Sequence, residues 1–181
     1  MIVRPATDDD AEALAAIYGH HVLHGFGTFE EVPPSVEDMA GRRRAVAEKG
    51  LPYLVAEEDG RVLGFAYAAP FRPRAAYRFT AEDSVYVAPD AIGKGVGRAV
   101  LSAVIAECEA LGLRQLMAVI GDSGNAASLG LHRSLGFEQT GVGRSVGFKH
   151  GRWVDIVHMQ KPLNGGDTSM PDSPGVTLSG H

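Results

Sequence analysis

Residues Thr80 to Ala110, TAEDSVYVAPDAIGKGVGRAVLSAVIAECEA, constrain the fold more than any other stretch. Alternation predicts a strand over Ala81–Val87, with Glu82, Ser84 and Tyr86 on one face and Asp83, Val85 and Val87 on the other. Pro89 and Asp90 close it. Val96, Val100, Leu101, Val104, Ile105, Cys108 and Leu111 recur at helical spacing, predicting a helix from Val96 to Leu111 that ends at Gly112. Between strand and helix lies Gly93-Lys94-Gly95-Val96-Gly97. A glycine-rich turn there leaves backbone N–H groups unpaired at a helix N-terminus, a ready site for phosphate. Glu82 lies a few residues upstream, so a phosphate cradle and a candidate base fall close together.

The flanking sequence builds around that unit. Ile2-Val3-Arg4-Pro5 reads as a short strand stopped by proline. A helix follows, N-capped by Thr7 with Asp10 as capping partner and ending near Gly19. His20 to Phe29 then reads as a glycine-spaced loop rich in aromatic rings, which suits a pocket wall. Ser35 caps a helix from Val36 to Lys49, on which Arg42, Arg43 and Arg44 read as a solvated face. Tyr53–Glu57 and Arg61–Ala69 form a hairpin across Glu58-Asp59-Gly60. Downstream come a mostly apolar strand from Arg114 to Ile120, a short helix from Asn125 to Leu135, and strands Phe137–Gly147 and Trp153–Gln160. Residues 1–163 make one domain; from Asn164 to His181 the Gly, Ser, Pro and Asp content predicts a disordered tail.

Several function classes drop out on composition. A chain of 181 residues suits one domain with a real core. A net charge of -5 offers no general attraction to nucleic acid or anionic membrane. One cysteine, Cys108, excludes an internal disulfide and a cysteine metal cage. No apolar run is long enough to span a bilayer, and MIVRPATDDD lacks the apolar core of a signal peptide, so the simplest reading is a cytoplasmic protein. His20, His21 and His24 invite a metal reading, but no H-E-x-x-H pattern or third ligand supports it, and no metal is expected.

The glycine turn fails two familiar tests. A Walker loop needs Lys and Ser/Thr after its last glycine, where this chain has Arg98-Ala99. A dinucleotide fingerprint needs G-x-G-x-x-G, whereas Gly93, Gly95 and Gly97 are spaced by twos. Strand, x-G-K-G-V-G-R and helix resemble motif A of the GNAT superfamily of N-acetyltransferases, and Asn125–Phe137 resembles its motif B helix. A-E-D-S-V-Y-V, V-I-G, N-x-x-S-x-x-L-H-x-x-L-G-F and G-F-K-H-G-R-W-x-D narrow this to the phosphinothricin and methionine sulfoximine acetyltransferase subfamily, over roughly residues 1–162.

That resemblance implies an α/β (α+β) GNAT fold, a mixed, mostly antiparallel sheet flanked by helices on both faces. It implies acetyl-CoA as cosubstrate and transfer of its acetyl group to the α-amine of a small amino acid-like acceptor. Backbone amides of Gly93, Lys94, Gly95, Val96, Gly97 and Arg98 are expected at the pyrophosphate. The backbone of Val85, Tyr86 and Val87, with Asn125 and Ser128, is expected along the pantetheine arm. Ile92 departs from the pattern, since a side-chain cation is usual there, and weaker coenzyme A binding follows from it. A protonated amine cannot attack a thioester, so a base is needed, and Glu82 is the candidate. His132 stands where many members carry the tyrosine thought to protonate the departing sulfur. Asn125, Ser128 and His132 share one helix face.

For the acceptor, Arg72, Arg74 and Arg78 precede Glu82, and a guanidinium fork suits a carboxylate or phosphinate. Phe29, Phe71 and Tyr77 are candidate walls, and Lys149 and His150 match the subfamily's K-H-G turn. Two alternatives stay open: transfer to a polyamine, aminoglycoside or protein N-terminus, and a non-catalytic acetyl-CoA binder. A homodimer is expected from the resemblance alone.

Overall fold

A computed structural model describes residues 1–178 of the chain. Its strands are β1 (Ile2–Pro5), β2 (Tyr53–Glu58), β3 (Arg61–Pro70), β4 (Thr80–Val87), β5 (Gln115–Gly121), β6 (Glu138–Lys149) and β7 (Arg152–Pro162). The helices are α1 (Ala11–His24), α2 (Val36–Glu48), α3 (Val96–Ala110) and α4 (Ala126–Ser134). One sheet runs in the order β1-β2-β3-β4-β5-β7-β6. Neighbours are antiparallel except β4 and β5, which are parallel because α3 crosses between them.

The alternation along β3 and β4 sorts the two faces. Phe65, Tyr67, Ser84 and Tyr86 share one face with Tyr53 and Val55. The Tyr18 ring of α1 meets Tyr86 edge-on with centroids 4.8 Å apart. On the other face lie Gly64, Ala66, Ala68, Asp83 and Val85, beneath α3. Small residues there let the helix come close: a Cβ on Gly64 would stand 2.8 Å from Val96 Cγ1. Val96, Val100, Leu101, Val104 and Cys108 of α3 are all buried, and each such side chain contributes roughly 1.5–3 kcal/mol by leaving water.

α1 is longer than expected. It runs through Gly19 to His24, so His20 to His24 are helical and not loop. Gly19 is a packing residue, with Pro33 close enough to meet an added Cβ at 3.4 Å. Local sequence cannot tell such a glycine from a helix stop. At the amino end, Arg4 forks onto Asp10 with both bonds at 2.8 Å, and Asp10 also accepts the Thr7 N–H.

Residues 164–178, expected as disordered tail, lie against the domain. The largely buried Arg114 donates to the carbonyls of Gly166, Ser169 and Met170 and to Ser169 Oγ. Val176 is buried, and its N–H bonds the Arg78 carbonyl at 2.7 Å. A buried guanidinium needs acceptors on all sides, and here the tail backbone provides them. Composition does not reveal that need. Residues 179–181 fall outside the described residues.

Candidate active site

β4 and β5 pair only from Thr80–Gln115 to Asp83–Ala118. Beyond that point β4 pairs with β3 alone and β5 with β7 alone. The parting leaves strand-edge groups of Ser84–Val87 facing an open cleft of about 760 Å³, which α3 and α4 also border. Polar backbone left unpaired at such an edge is a template for an extended ligand.

The glycine turn stands at one end of this cleft. Gly93 and Gly95 have φ of 81° and 80°, which other residues adopt only with strain. The first intrahelical bond of α3 is Ala99 N–H to the Gly95 carbonyl, so the amides of Val96, Gly97 and Arg98 precede the helical ladder. Gly97 is held small by close approach, since a Cβ would meet Leu131 Cδ2 at 3.2 Å. Of the residues expected here, Gly93, Gly95, Val96, Gly97, Arg98, Val85, Tyr86, Val87, Asn125 and Ser128 border the cleft, and Lys94 does not. The Arg98 guanidinium is tied to Ser134 Oγ at 2.8 Å. Ile92 is on the rim, 61% exposed. Asn125 caps α4 by accepting the Ser128 N–H.

Two adjacent carboxylates point to opposite faces of β4 where its pairing with β5 ends, and of the two only Asp83 borders the cleft. Glu82 is half-buried, and burial raises its pKa above the ordinary 4.5; Arg72 pulls it back and Asp83 pushes it further up. A raised carboxylate is a better base near neutral pH. Asp83 is buried on the α3–α4 side, with its Oδ1 3.0 Å from His132 Nε2. His132 is 2% exposed. Its Nδ1 donates to the Ser128 carbonyl at 2.8 Å, and its ring meets Phe137 edge-on at 5.0 Å. Burial alone would lower the His132 pKa, but the bond and charge of Asp83 outweigh it and the net direction is up.

The expected acceptor residues divide. Arg72 lies over the Phe71 ring at 4.4 Å, and Phe71 meets Tyr77 at 5.7 Å. This cluster belongs to the connection before β4, on the side where Arg72 acts on Glu82. Arg74 is exposed there. Lys149, by contrast, is 1% exposed and donates to the Thr28 carbonyl at 2.7 Å, so its ammonium anchors the loop after α1. Phe29 of that loop lies against Gly147 of β6, and His150 packs on Phe26 at 5.4 Å.

Two cleft residues were not foreseen. Asp83 was placed on the strand face opposite Glu82 and given no role, and that face is the one His132 of α4 meets; a carboxylate among apolar residues signals a buried partner. His21 donates from Nε2 to the Val87 carbonyl at 2.9 Å, on the strand edge expected to meet the ligand. The sequence singled it out only within the His20, His21 and His24 group, because α1 was expected to end near Gly19 and runs about five residues further, to His24. His20 and His24 have their rings 4.7 Å apart, and among the described residues no group of three potential metal ligands occurs.

The sequence profile of the acetyltransferase (GNAT) family matches residues 17–137. The chain belongs to the GNAT family. It is 61% identical over 170 residues to a phosphinothricin N-acetyltransferase of Alcaligenes faecalis, covering 94% of this chain and 86% of that protein. It is 42% identical over 163 residues to an L-methionine sulfoximine/L-methionine sulfone acetyltransferase of Pseudomonas paraeruginosa, covering 90% and 94%. A GNAT phosphinothricin acetyltransferase from Sinorhizobium meliloti, solved in complex with AcCoA, superposes with a TM-score of 0.91 at 47% identity, covering 94% of this chain and 92% of that one. The sheet with its parted central strands is the GNAT fold, as expected.

Proposed function

We propose that this chain moves the acetyl group of acetyl-CoA to the α-amine of a small amino acid-like acceptor of the phosphinothricin, methionine sulfoximine or methionine sulfone type. The parting of β4 from β5 carries the reading: it joins a free strand edge, a helix N-terminus and the Asp83–His132 pair in one cleft, and Glu82 lies one residue before Asp83 on the opposite face of β4. The acceptor class rests on the relatives named above.

The cleft fits the donor. Positive-φ glycines and the leading amides of α3 suit a pyrophosphate, and the edge of Val85–Val87, with Asn125 and Ser128, suits the amides of a pantetheine arm. Acetyl-CoA supplies an activated acyl carbon and a thiolate leaving group. Glu82 takes the protons that the acceptor's ammonium must shed. Arg72 and Arg74 attract the acceptor's carboxylate, and Phe29, Phe71 and Tyr77 limit its size, with Lys149 and His150 bracing the loop beside them. His132 returns a proton to sulfur. Nitrogen loses two protons and sulfur gains one, so one proton reaches solvent per turnover.

A coenzyme A release screen tests the reading with phosphinothricin, methionine sulfoximine, methionine sulfone, ordinary amino acids, spermidine and an aminoglycoside. Fastest turnover is expected with the first three. Release only with the polycations would move the acceptor class, and no release with any amine would leave a binder. If phosphinothricin is acetylated, expression of the chain should confer resistance to that herbicide.

A homodimer is part of the same proposal. Phe148 and Trp153, 58% and 62% exposed, meet edge-on at 5.3 Å on the β6–β7 hairpin, with Val146 beside them. Such an exposed apolar patch favours a partner surface. Light scattering should give twice the chain mass, and Trp153→Glu should halve it. A cytoplasmic location is proposed too, consistent with a single buried, reduced cysteine, and fractionation would check it.

A further inference from the structure

The connection before β4 has few ties to the rest of the molecule. Residues 72–78 are exposed and make one short 3₁₀ turn, Ala75–Tyr77. Their bonds are local: Tyr77 N–H to the Arg74 carbonyl and Arg78 N–H to the Ala75 carbonyl, while Phe71 N–H reaches the Thr80 carbonyl at 3.4 Å. The Arg78 guanidinium also folds back, lying over the Phe79 ring at 4.8 Å and donating to the Ala75 carbonyl. Among the described residues, the one backbone hydrogen bond that reaches residues 71–78 from a remote segment is donated by Val176 N–H to the Arg78 carbonyl, at 2.7 Å. An exposed arm held so sparsely opens easily. Yet it carries Phe71, Arg72, Arg74 and Tyr77, the acceptor residues proposed above.

The segment that supplies this bond is itself well anchored. Asn164 Nδ2 donates to the carbonyls of Glu109 and Leu113 at the end of α3. Arg114 gathers the carbonyls of Gly166, Ser169 and Met170. Ser173 Oγ donates to the Gly112 carbonyl at 3.4 Å. Gly175 then passes against the arm with φ at 76°, where a Cβ would stand 2.7 Å from the Arg78 carbonyl oxygen and 3.0 Å from Phe79 Cε1. Only glycine makes that approach without displacing its neighbour. Val176 is 9% exposed and joins the apolar core, which fixes the donor in place. Ordering a chain terminus costs backbone entropy at every residue, and these anchors offset it. Among the described residues, none of 164–178 borders the donor cleft.

We propose that residues 164–178 are a strap whose far end, Gly175 and Val176, positions the arm of residues 71–78 and so sets the affinity for the acceptor, independently of acetyl-CoA. This rests on the acetyl-transfer reading above. Gly175 and Val176 are positioning residues, since they meet the arm's backbone at Arg78 and act on the acceptor through it. The anchors around Arg114 hold the strap beside Gln115, where β4 and β5 are still paired. Loosening the far end therefore frees the arm and leaves the parted cleft as it is.

Amide hydrogen exchange on the ligand-free protein is read first. In the wild type the Val176 amide should be protected, and free exchange there overturns the strap whatever the variants do. Gly175→Val drives a side chain against the Arg78 carbonyl, and Val176→Pro deletes the donated hydrogen should the first variant misfold. In either, residues 71–79 should exchange about tenfold faster while α3 keeps its wild-type protection. With the best acceptor of the screen, KM for that acceptor should rise by about five- to tenfold, and the dissociation constant of acetyl-CoA should stay within about twofold. A merely weakened fold would not separate the two ligands. Unchanged exchange in residues 71–79, an unchanged acceptor KM, or equal losses for acceptor and acetyl-CoA overturn the inference. If the wild type releases coenzyme A with no amine, the acetyl-transfer reading is what fails, and arm exchange in the same variants judges the strap separately.

Discussion

The two faces of β4 treat neighbouring carboxylates in opposite ways. Glu82 opens toward the arginine-rich connection, half-buried, with a cation near it but no ion pair. Asp83 is sealed under α3 and α4 and bonded to one histidine. Both pKa values are raised first by burial. The consequences differ because one group stays within reach of an acceptor and the other is committed to a partner. Position on the strand, not residue type, separates the half-buried candidate base Glu82 from the buried Asp83.

The largest effect that can break this comparison is on turnover. Glu82→Gln should lower kcat by about 10²–10⁴-fold while isothermal titration still shows acetyl-CoA binding. Retained activity would remove Glu82 from its role and leave the two carboxylates functionally alike. His132→Ala should act on stability as well, because it strands Asp83 as a buried unpaired charge. Breaking such a pair costs about 3–5 kcal/mol, readable as a fall in denaturation midpoint, whereas Glu82→Gln should leave that midpoint nearly unchanged.

The pH dependence sharpens the contrast with a smaller effect. Glu82 must be ionised to take a proton, and its pKa lies above the ordinary value. Activity should therefore rise with pH through a midpoint above 4.5 and be lost as pH falls below it. Arg72 holds that pKa down, so Arg72→Ala should move the acid limb to higher pH, and a limb that stays put or moves down would detach Arg72 from Glu82. The smallest effect belongs to the far end of the cleft. Ile92→Arg should tighten acetyl-CoA by about two- to fivefold, the ~0.5–1 kcal/mol of an exposed charge contact, and an unchanged dissociation constant would show that Ile92 leaves no deficit.

Much of the frame was legible in sequence because it is written in local periods. The period of two over Ala81–Val87 and the helical spacing from Val96 placed β4 and α3 within a residue or so of their observed ends. The glycine turn was legible too, since positive φ at Gly93 and Gly95 is a local requirement. Packing between distant elements was not. Gly19 read as a stop and proved to be a contact with Pro33. Lys149 read as a residue lining the substrate pocket and proved to reach across the chain to Thr28.

By itself, then, the sequence determined the strand–turn–helix unit, the face on which Glu82 lies, and the family to which the chain belongs. Only the tertiary structure decided where β4 and β5 part, which side chain meets His132, and what holds residues 164–178 in place. The physical reason is range. Alternation, helical spacing and turn geometry act between residues a few positions apart. The contact between Asp83 and His132, and the acceptors gathered around Arg114, exist only once remote segments share a space that water has left.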